Sequence, residues 1–154
     1  MTDVTSSGQA DERSPDRPRP VLDALSRAYW EGAGRGELAI QHCEECDHYQ
    51  HPPRPLCERC TAADLSYRAV SGRGVVHSFT TNHQRNVAGF EQAVPYVNLI
   101  VELEEQPQLY LLSDLPAGEA DWVAIGAPVE VVFEPIEAAE GEAIALPQFR
   151  PAGG

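Results

Sequence analysis

The four cysteines of this chain lie within eighteen residues, and they constrain its fold more than any other feature. They form two Cys-x2-Cys pairs, Cys43 with Cys46 and Cys57 with Cys60, with ten residues between the pairs. Two such pairs joined by a short loop hold four thiolates in the tetrahedral arrangement that Zn2+ prefers. We therefore predict a structural zinc ribbon, in which four Cys ligands leave no open coordination position for catalysis.

The cysteines allow two interpretations besides zinc. A thiol redox pair is disfavoured, because redox motifs occur singly and beside a βαβ unit. Iron in the same four-thiolate geometry stays open, because spacing does not distinguish it from zinc. Since four cysteines complete the metal's shell, we expect His42, His48 and His51 to be surface residues of the ribbon rather than ligands.

The order of apolar segments along the chain predicts a mainly β protein. Residues 1–20 are polar and proline-rich and are predicted to be a disordered tail. Apolar residues at helical spacing, closed by Gly32, Gly34 and Gly36, predict an amphipathic helix over residues 21–36. Residues 37–70 form the zinc ribbon. Five β-rich segments then predict a five-stranded OB-fold barrel over residues 71–150, with a β-sandwich as the alternative.

Charge is distributed unevenly along the chain. The formal net charge is -13, from 24 acidic residues against 11 cations that are all arginines. Between residues 86 and 149 there are twelve acids and no arginine or lysine. This balance argues against a duplex nucleic-acid binder, which needs a basic face. An anionic ligand would prefer the first half of the chain, where arginines lie.

Nothing in the sequence predicts catalytic residues. A serine, a histidine and an acid could be grouped on paper, but no nucleophile elbow or oxyanion motif accompanies them. Residues 72–74 read as an ordinary turn with two glycines, and no phosphate-binding glycine loop occurs. The chain also lacks a secretory leader and a membrane-spanning stretch, so we expect a cytoplasmic protein that does not bind membranes.

With the ribbon placed ahead of the barrel, the sequence resembles the DUF35 family, a rubredoxin-like zinc ribbon joined to an OB-fold. The resemblance runs from about residue 21 to the end of the chain. It rests on the cysteine quartet and on six short stretches in the family's order: residues 29–32 (YWEG), 52–55 (PPRP), 71–74 (SGRG), 95–97 (PYV), 125–131 (IGAPVEV) and 146–151 (LPQFRP). Asp47 and Thr61 depart from it, since each stands where glycine is expected after a cysteine pair.

The resemblance implies a non-catalytic accessory subunit of an acyl-CoA enzyme complex. The expected partner is a thiolase-superfamily protein, such as a thiolase, a synthase or a lipid-transfer-protein-like aldolase, in steroid or fatty-acyl degradation. The chain would then form a hetero-oligomer and help to build the channel for acyl-CoA. Tyr29 and Trp30 are the predicted anchors of that interface, because large amphipathic rings contribute most interface energy.

If acyl-CoA contacts this chain, its phosphates are expected to meet arginine, whose planar fork can hold a phosphate through two hydrogen bonds. The candidates, with one histidine that could line the same groove, are Arg54, Arg59, Arg73, His83 and Arg85. Ordinary pairing of these arginines with Glu44, Glu45, Glu58 or Asp64 is the competing interpretation. The alternative function is a single-stranded nucleic-acid-binding protein, since OB-folds and zinc ribbons both serve that purpose elsewhere.

Overall fold

The computed structural model describes residues 17–116 and 120–153 of the chain. Most of the predicted tail, residues 1–16, lies outside the described residues. Among the described residues, Arg17 already contacts the barrel four residues before the predicted boundary, since its guanidinium lies 4.3 Å from the centre of the Phe90 ring. The Pro20 carbonyl accepts a hydrogen bond from the Ala139 amide, so residues 17–20 lie along the barrel surface.

The helix is shorter than predicted. Helix α1 spans Arg27–Gly34, whereas the apolar pattern predicted residues 21–36. The carboxylate of Asp23 accepts hydrogen bonds from the backbone amides of Leu25 and Ser26, at 3.0 and 2.7 Å, and so holds a turn ahead of the helix. This turn competes with helical backbone bonds and delays the start of α1. Gly32 allows close packing, because a Cβ there would lie 2.8 Å from the Cβ of Ala39.

The ribbon is a three-stranded antiparallel sheet. Its strands are β1 (Leu38–Cys43), β2 (Tyr49–Gln50) and β3 (Leu65–Val70), in the order β2-β1-β3. Every residue of β1 is buried, because the strand is covered on both faces. Leu38 and Ile40 of β1 belong to the same apolar cluster as the barrel residues, so ribbon and barrel share one core.

The second sheet confirms the predicted OB-fold. Strands β4 (Arg73–Asn82), β5 (Tyr96–Leu103), β6 (Tyr110–Asp114), β7 (Pro128–Glu137) and β8 (Ala143–Pro151) pair antiparallel in the order β6-β5-β4-β7-β8. The two outer strands meet through a side chain, since the Ser113 hydroxyl donates to the Pro147 carbonyl at 2.8 Å. Burial alternates strictly along β5, which turns Val97, Leu99 and Val101 into the core.

One side chain joins the ribbon to the barrel in the manner of a β-bridge. The Gln106 amide, in the turn between β5 and β6, accepts from the Tyr49 backbone N–H at 2.8 Å and donates to the Tyr49 carbonyl at 2.9 Å. The backbone N–H and carbonyl of Tyr49, at the edge of β2, are thereby paired with the barrel. The ribbon loop that follows β2 is consequently held at a fixed position against the barrel.

Candidate metal centre and adjacent groove

The four cysteine sulfurs converge on one point. All four Sγ atoms lie within 4.8 Å of one another, with Cys43 to Cys60 at 3.6 Å and Cys46 to Cys57 at 3.7 Å. A tetrahedral ion with Zn–S bonds of about 2.3 Å separates its sulfurs by about 3.8 Å. The quartet therefore fits Zn2+, and bound zinc would supply the cross-link that folds the two cysteine turns around it.

The two cysteine pairs lie in turns of the same design. The Asp47 amide donates to the Cys43 carbonyl at 3.0 Å, and the Thr61 amide donates to the Cys57 carbonyl at 2.9 Å. Both donors have a positive φ, 56° at Asp47 and 64° at Thr61. These are the two positions where the family resemblance led us to expect glycine. Each turn has the left-handed backbone conformation that glycine favours, although neither residue is glycine.

Backbone amides act on the thiols directly. Burial raises the pKa of the Cys57 thiol, but the amides of Cys60 and Arg59, together with the neighbouring thiols, lower it to about 6. The Arg59 amide lies 3.4 Å from the Cys57 sulfur. Cys57 is thus a thiol that ionises easily, which suits it to metal capture because the thiolate is the ligand.

Glu44 ties the first cysteine turn to the neighbouring strand. Its carboxylate accepts hydrogen bonds from the Ser66 hydroxyl and from the Arg68 guanidinium, the latter at 2.7 Å. Hydrogen bonds from Ser66 and Arg68 lower the pKa of Glu44 to about 2. The carboxylate therefore stays charged at neutral pH, and its contacts hold the turn against β3.

Two buried glutamines hold the loop between the cysteine pairs. The Gln50 amide donates to the Gln41 side-chain oxygen at 2.6 Å, while Gln41 accepts from the Arg54 backbone N–H at 2.8 Å. Gln50 also accepts from the Glu58 amide at 2.8 Å. Neither residue was predicted from the sequence, because a glutamine in a short strand carries no sign of being buried. The feature that marks them is a polar side chain at a position that the ribbon sheet buries, and this becomes visible only once the fold is known.

The three histidines near the cysteines differ in environment, and none belongs to the sulfur cluster. His48 is only partly exposed, with 17 % of its side chain accessible, and lies 3.0 Å from the Glu58 carboxylate. His42 is not a surface residue: its side chain is 2 % exposed, and its ring packs edge-on against Tyr49. His51 is not fully exposed either, and its ring lies 5.2 Å from the ring of Tyr29.

A groove of about 940 Å³ runs between α1, the ribbon loop and the barrel. Tyr29 and Trp30 of α1, with His51 of the ribbon loop, line one end of it. The outer face of β5 and β6, the second and third strands of the barrel, forms another wall, and this is the face on which OB-folds bind their ligands. Tyr29 and Trp30 are half-buried here and pack on the apolar clusters.

The predicted CoA-binding residues lie outside this groove and do not form one cluster. Arg54 and Arg59 belong to the ribbon loop, while His83 and Arg85 are exposed in the loop after β4. Arg73 begins the ten-residue β4, about 30 Å along the strand from that loop. Arg73 also pairs with Glu104, 2.7 Å away, an acid that the competing interpretation did not name.

Fold and site together define a zinc-ribbon and OB-fold protein, and comparison with known proteins identifies its family. Residues 30–66 match the family model of the ChsH2 rubredoxin-like zinc ribbon domain, and residues 67–134 match that of the ChsH2 C-terminal OB-fold domain. The chain is 32% identical over 109 residues to a DUF35 domain-containing scaffold protein of Methanothermobacter thermautotrophicus and covers 79% of it. This chain belongs to the DUF35 family.

Other similar proteins extend the comparison. A probable enoyl-CoA hydratase alpha subunit of Thermomonospora curvata is 35% identical over 136 residues, and the chain spans 40% of that protein's length. Among solved structures, the chain is similar to one from an Ltp2-ChsH2(DUF35) aldolase, with 34% identity, a TM-score of 0.71 and coverage of 87% of this chain and 99% of that one. A DUF35-family protein of unknown function from Sulfolobus solfataricus, 20% identical with a TM-score of 0.52, shares the fold over 68% of this chain and 75% of that one.

The helix within residues 17–116 and 120–153 is too short to cross a membrane.

Thr61 gives a direct test of the cysteine-turn geometry. A β-branched residue with φ of 64° is strained by about 1–2 kcal/mol, and glycine removes that strain. We predict that Thr61→Gly raises the melting temperature of the zinc-loaded protein by about 3 °C. Thr61→Ala is the matched control, since it removes the hydroxyl but keeps the Cβ and should give no increase. Equal melting temperatures for the two variants would contradict a strained turn.

The burial of His51 should make the free energy of unfolding fall at acidic pH. Burial lowers its pKa from 6.5 to about 4, so the unfolded chain binds a proton in this range that the folded chain excludes. The free energy of unfolding should therefore be unaffected by His51 above pH 6.5 and fall by about 3 kcal/mol as the pH drops to 4. Unfolding by urea at each pH measures it, with His51→Phe as the comparison. Zinc loss at low pH affects both proteins, so the difference between them isolates His51, and parallel curves would refute the assignment.

Proposed function

We propose that this chain is a non-catalytic accessory subunit that binds a thiolase-superfamily partner in the cytoplasm and helps to form that enzyme's acyl-CoA site. The observation that carries the proposal is the similarity to the DUF35 chain of an aldolase complex, which extends over 99% of that chain. The relatives named as scaffold proteins point the same way. The cytoplasm suits the quartet, because thiols stay reduced there.

The acyl-CoA part of the proposal rests on charge and on one relative. The enoyl-CoA hydratase alpha subunit is named for an acyl-CoA substrate, and the chain matches part of it. Arg59 is exposed and forms no side-chain hydrogen bond or ion pair within the described part of the chain, whereas Arg54 lies 3.9 Å from Glu58. Arg85 and His83 offer a second exposed pair. These residues are the better candidates for phosphate, because Arg73 already pairs with Glu104.

The nucleic-acid alternative is less consistent with the barrel. The OB-fold face of β5 and β6 carries Glu102 and Asp114, and neither strand contains an arginine or lysine. Single-stranded nucleic acid needs a positively charged groove that follows its backbone. Both acids are partly exposed and would repel the phosphates, so this surface favours a protein partner or a small ligand.

The proposal is tested by co-expressing the chain with a thiolase-superfamily aldolase of the Ltp2 type and assaying carbon–carbon cleavage of acyl-CoA. We expect a stable complex, activity only in the complex, and no turnover by the isolated chain. Charge reversal in Arg59→Glu and Arg85→Glu should raise KM for acyl-CoA about fivefold to tenfold and leave complex formation intact. Arg35→Glu, at an exposed arginine on the far end of α1, is the control.

Turnover by the isolated chain would contradict the accessory role. Complex formation with unchanged KM in both variants would place the CoA phosphates wholly on the partner.

A further inference from the structure

Two polar groups at the helix end of the groove have unmet hydrogen-bonding capacity. Neither the Tyr29 hydroxyl nor the His51 ring forms a hydrogen bond to any other residue in the described ranges, and the two rings lie 5.2 Å apart. Both are largely buried, yet neither is among the described polar atoms that are sealed from solvent. They are therefore accessible from the groove. Because no described protein group occupies them, a ligand in the groove can form hydrogen bonds to both.

The rest of the groove is apolar and offers no site for a charge. Prolines and large apolar side chains line it, among them Pro20, Pro53, Leu112, Ile136, Leu146 and Pro147. Its four charged side chains already have partners: Arg19 bonds Glu137 at 3.0 Å, the Asp114 carboxylate accepts from Gln148 at 2.8 Å, and Arg17 donates to the Gly89 carbonyl and lies over the Phe90 ring. An ion in this groove would lose its hydration without gaining a partner.

The polar pair also defines the kind of group it can recognise. Buried in its apolar surroundings, His51 is neutral at pH 7, so its ring offers one donor and one acceptor, and the tyrosine hydroxyl offers both as well. A carbonyl oxygen can accept from either residue, and a hydroxyl can donate to one and accept from the other. A carboxylate would bring a negative charge toward Asp114 and Glu137 at the groove walls, where Arg19 is already paired with Glu137 and Arg17 with the Gly89 carbonyl and the Phe90 ring.

We infer that the groove is a binding site for a neutral, apolar small molecule whose hydroxyl or carbonyl group hydrogen-bonds Tyr29 and His51. This site goes beyond the proposed function, because it requires neither the partner protein nor CoA. Its volume of about 940 Å³ lies within the range of small-molecule pockets. The aromatic rings of Tyr29 and Trp30, 5.1 Å apart and nearly perpendicular, provide the apolar contact beside the polar pair.

The test is an NMR titration of the isolated, zinc-loaded chain with four probes of one size: cyclohexanol, cyclohexanone, cyclohexane and cyclohexanecarboxylate. We expect the alcohol and ketone to shift the Tyr29, Trp30 and His51 signals and to bind at least fivefold more tightly than cyclohexane. The carboxylate should bind at least tenfold more weakly than the alcohol. In Tyr29→Phe and His51→Phe the preference for alcohol and ketone over cyclohexane should fall toward one, with cyclohexane affinity retained.

Tyr110→Phe is the matched control, because this tyrosine lies outside the groove, stacked on His77, and its variant should keep the preference. Equal affinity for cyclohexanol and cyclohexane, or a preference that survives in Tyr29→Phe, would overturn the assignment of the polar pair. Absence of shifts at Tyr29, Trp30 and His51 with every probe would overturn the site itself. Neither result depends on whether a thiolase-like partner binds the chain.

Discussion

The convergence of four sulfurs from two separate turns is the constraint on which this structure depends. The ribbon contributes three short strands, of which β2 has two residues, and such a sheet cannot bury enough apolar surface to fold by itself. The cysteine turns fix where β1 ends and where the ribbon loop returns. Without a cross-link at that point, the loop carrying His51, Arg54 and Arg59 would be held mainly by the side-chain hydrogen bonds of Gln41, Gln50 and Gln106.

The metal centre also acts on the groove, through the ribbon. Gln41 and Gln50 fasten the loop between the cysteine pairs, and Gln106 fastens β2 to the barrel, so the loop is held from both sides. That loop carries His51 and Pro53 into the groove wall. A metal site closed to catalysis thus contributes to function by shaping a surface that the barrel alone would leave open.

The sequence predicted those parts of the fold whose signal is local. Cysteine spacing located the metal site, and alternating apolar residues located β5 and the other barrel strands within a few residues. The start of α1 was wrong because the Asp23 side chain captures two backbone amides, which an apolar pattern does not reveal. The groove and the roles of Gln41, Gln50 and His51 could not be predicted, since they depend on how ribbon, helix and barrel pack together. The five proposed CoA contacts, four arginines and one histidine, do not lie together.

Hydrogen exchange before and after zinc removal tests most directly whether the metal centre organises the ribbon loop and the groove wall. The Cys57 amide bonds the Ala62 carbonyl and the Glu58 amide bonds Gln50, whereas Leu99 lies in the barrel core. After chelation, exchange at Cys57 and Glu58 should accelerate at least a hundredfold and the His51 signals should shift, while Leu99 keeps its protection. Unchanged exchange at Cys57 and Glu58 in metal-free protein would contradict this account.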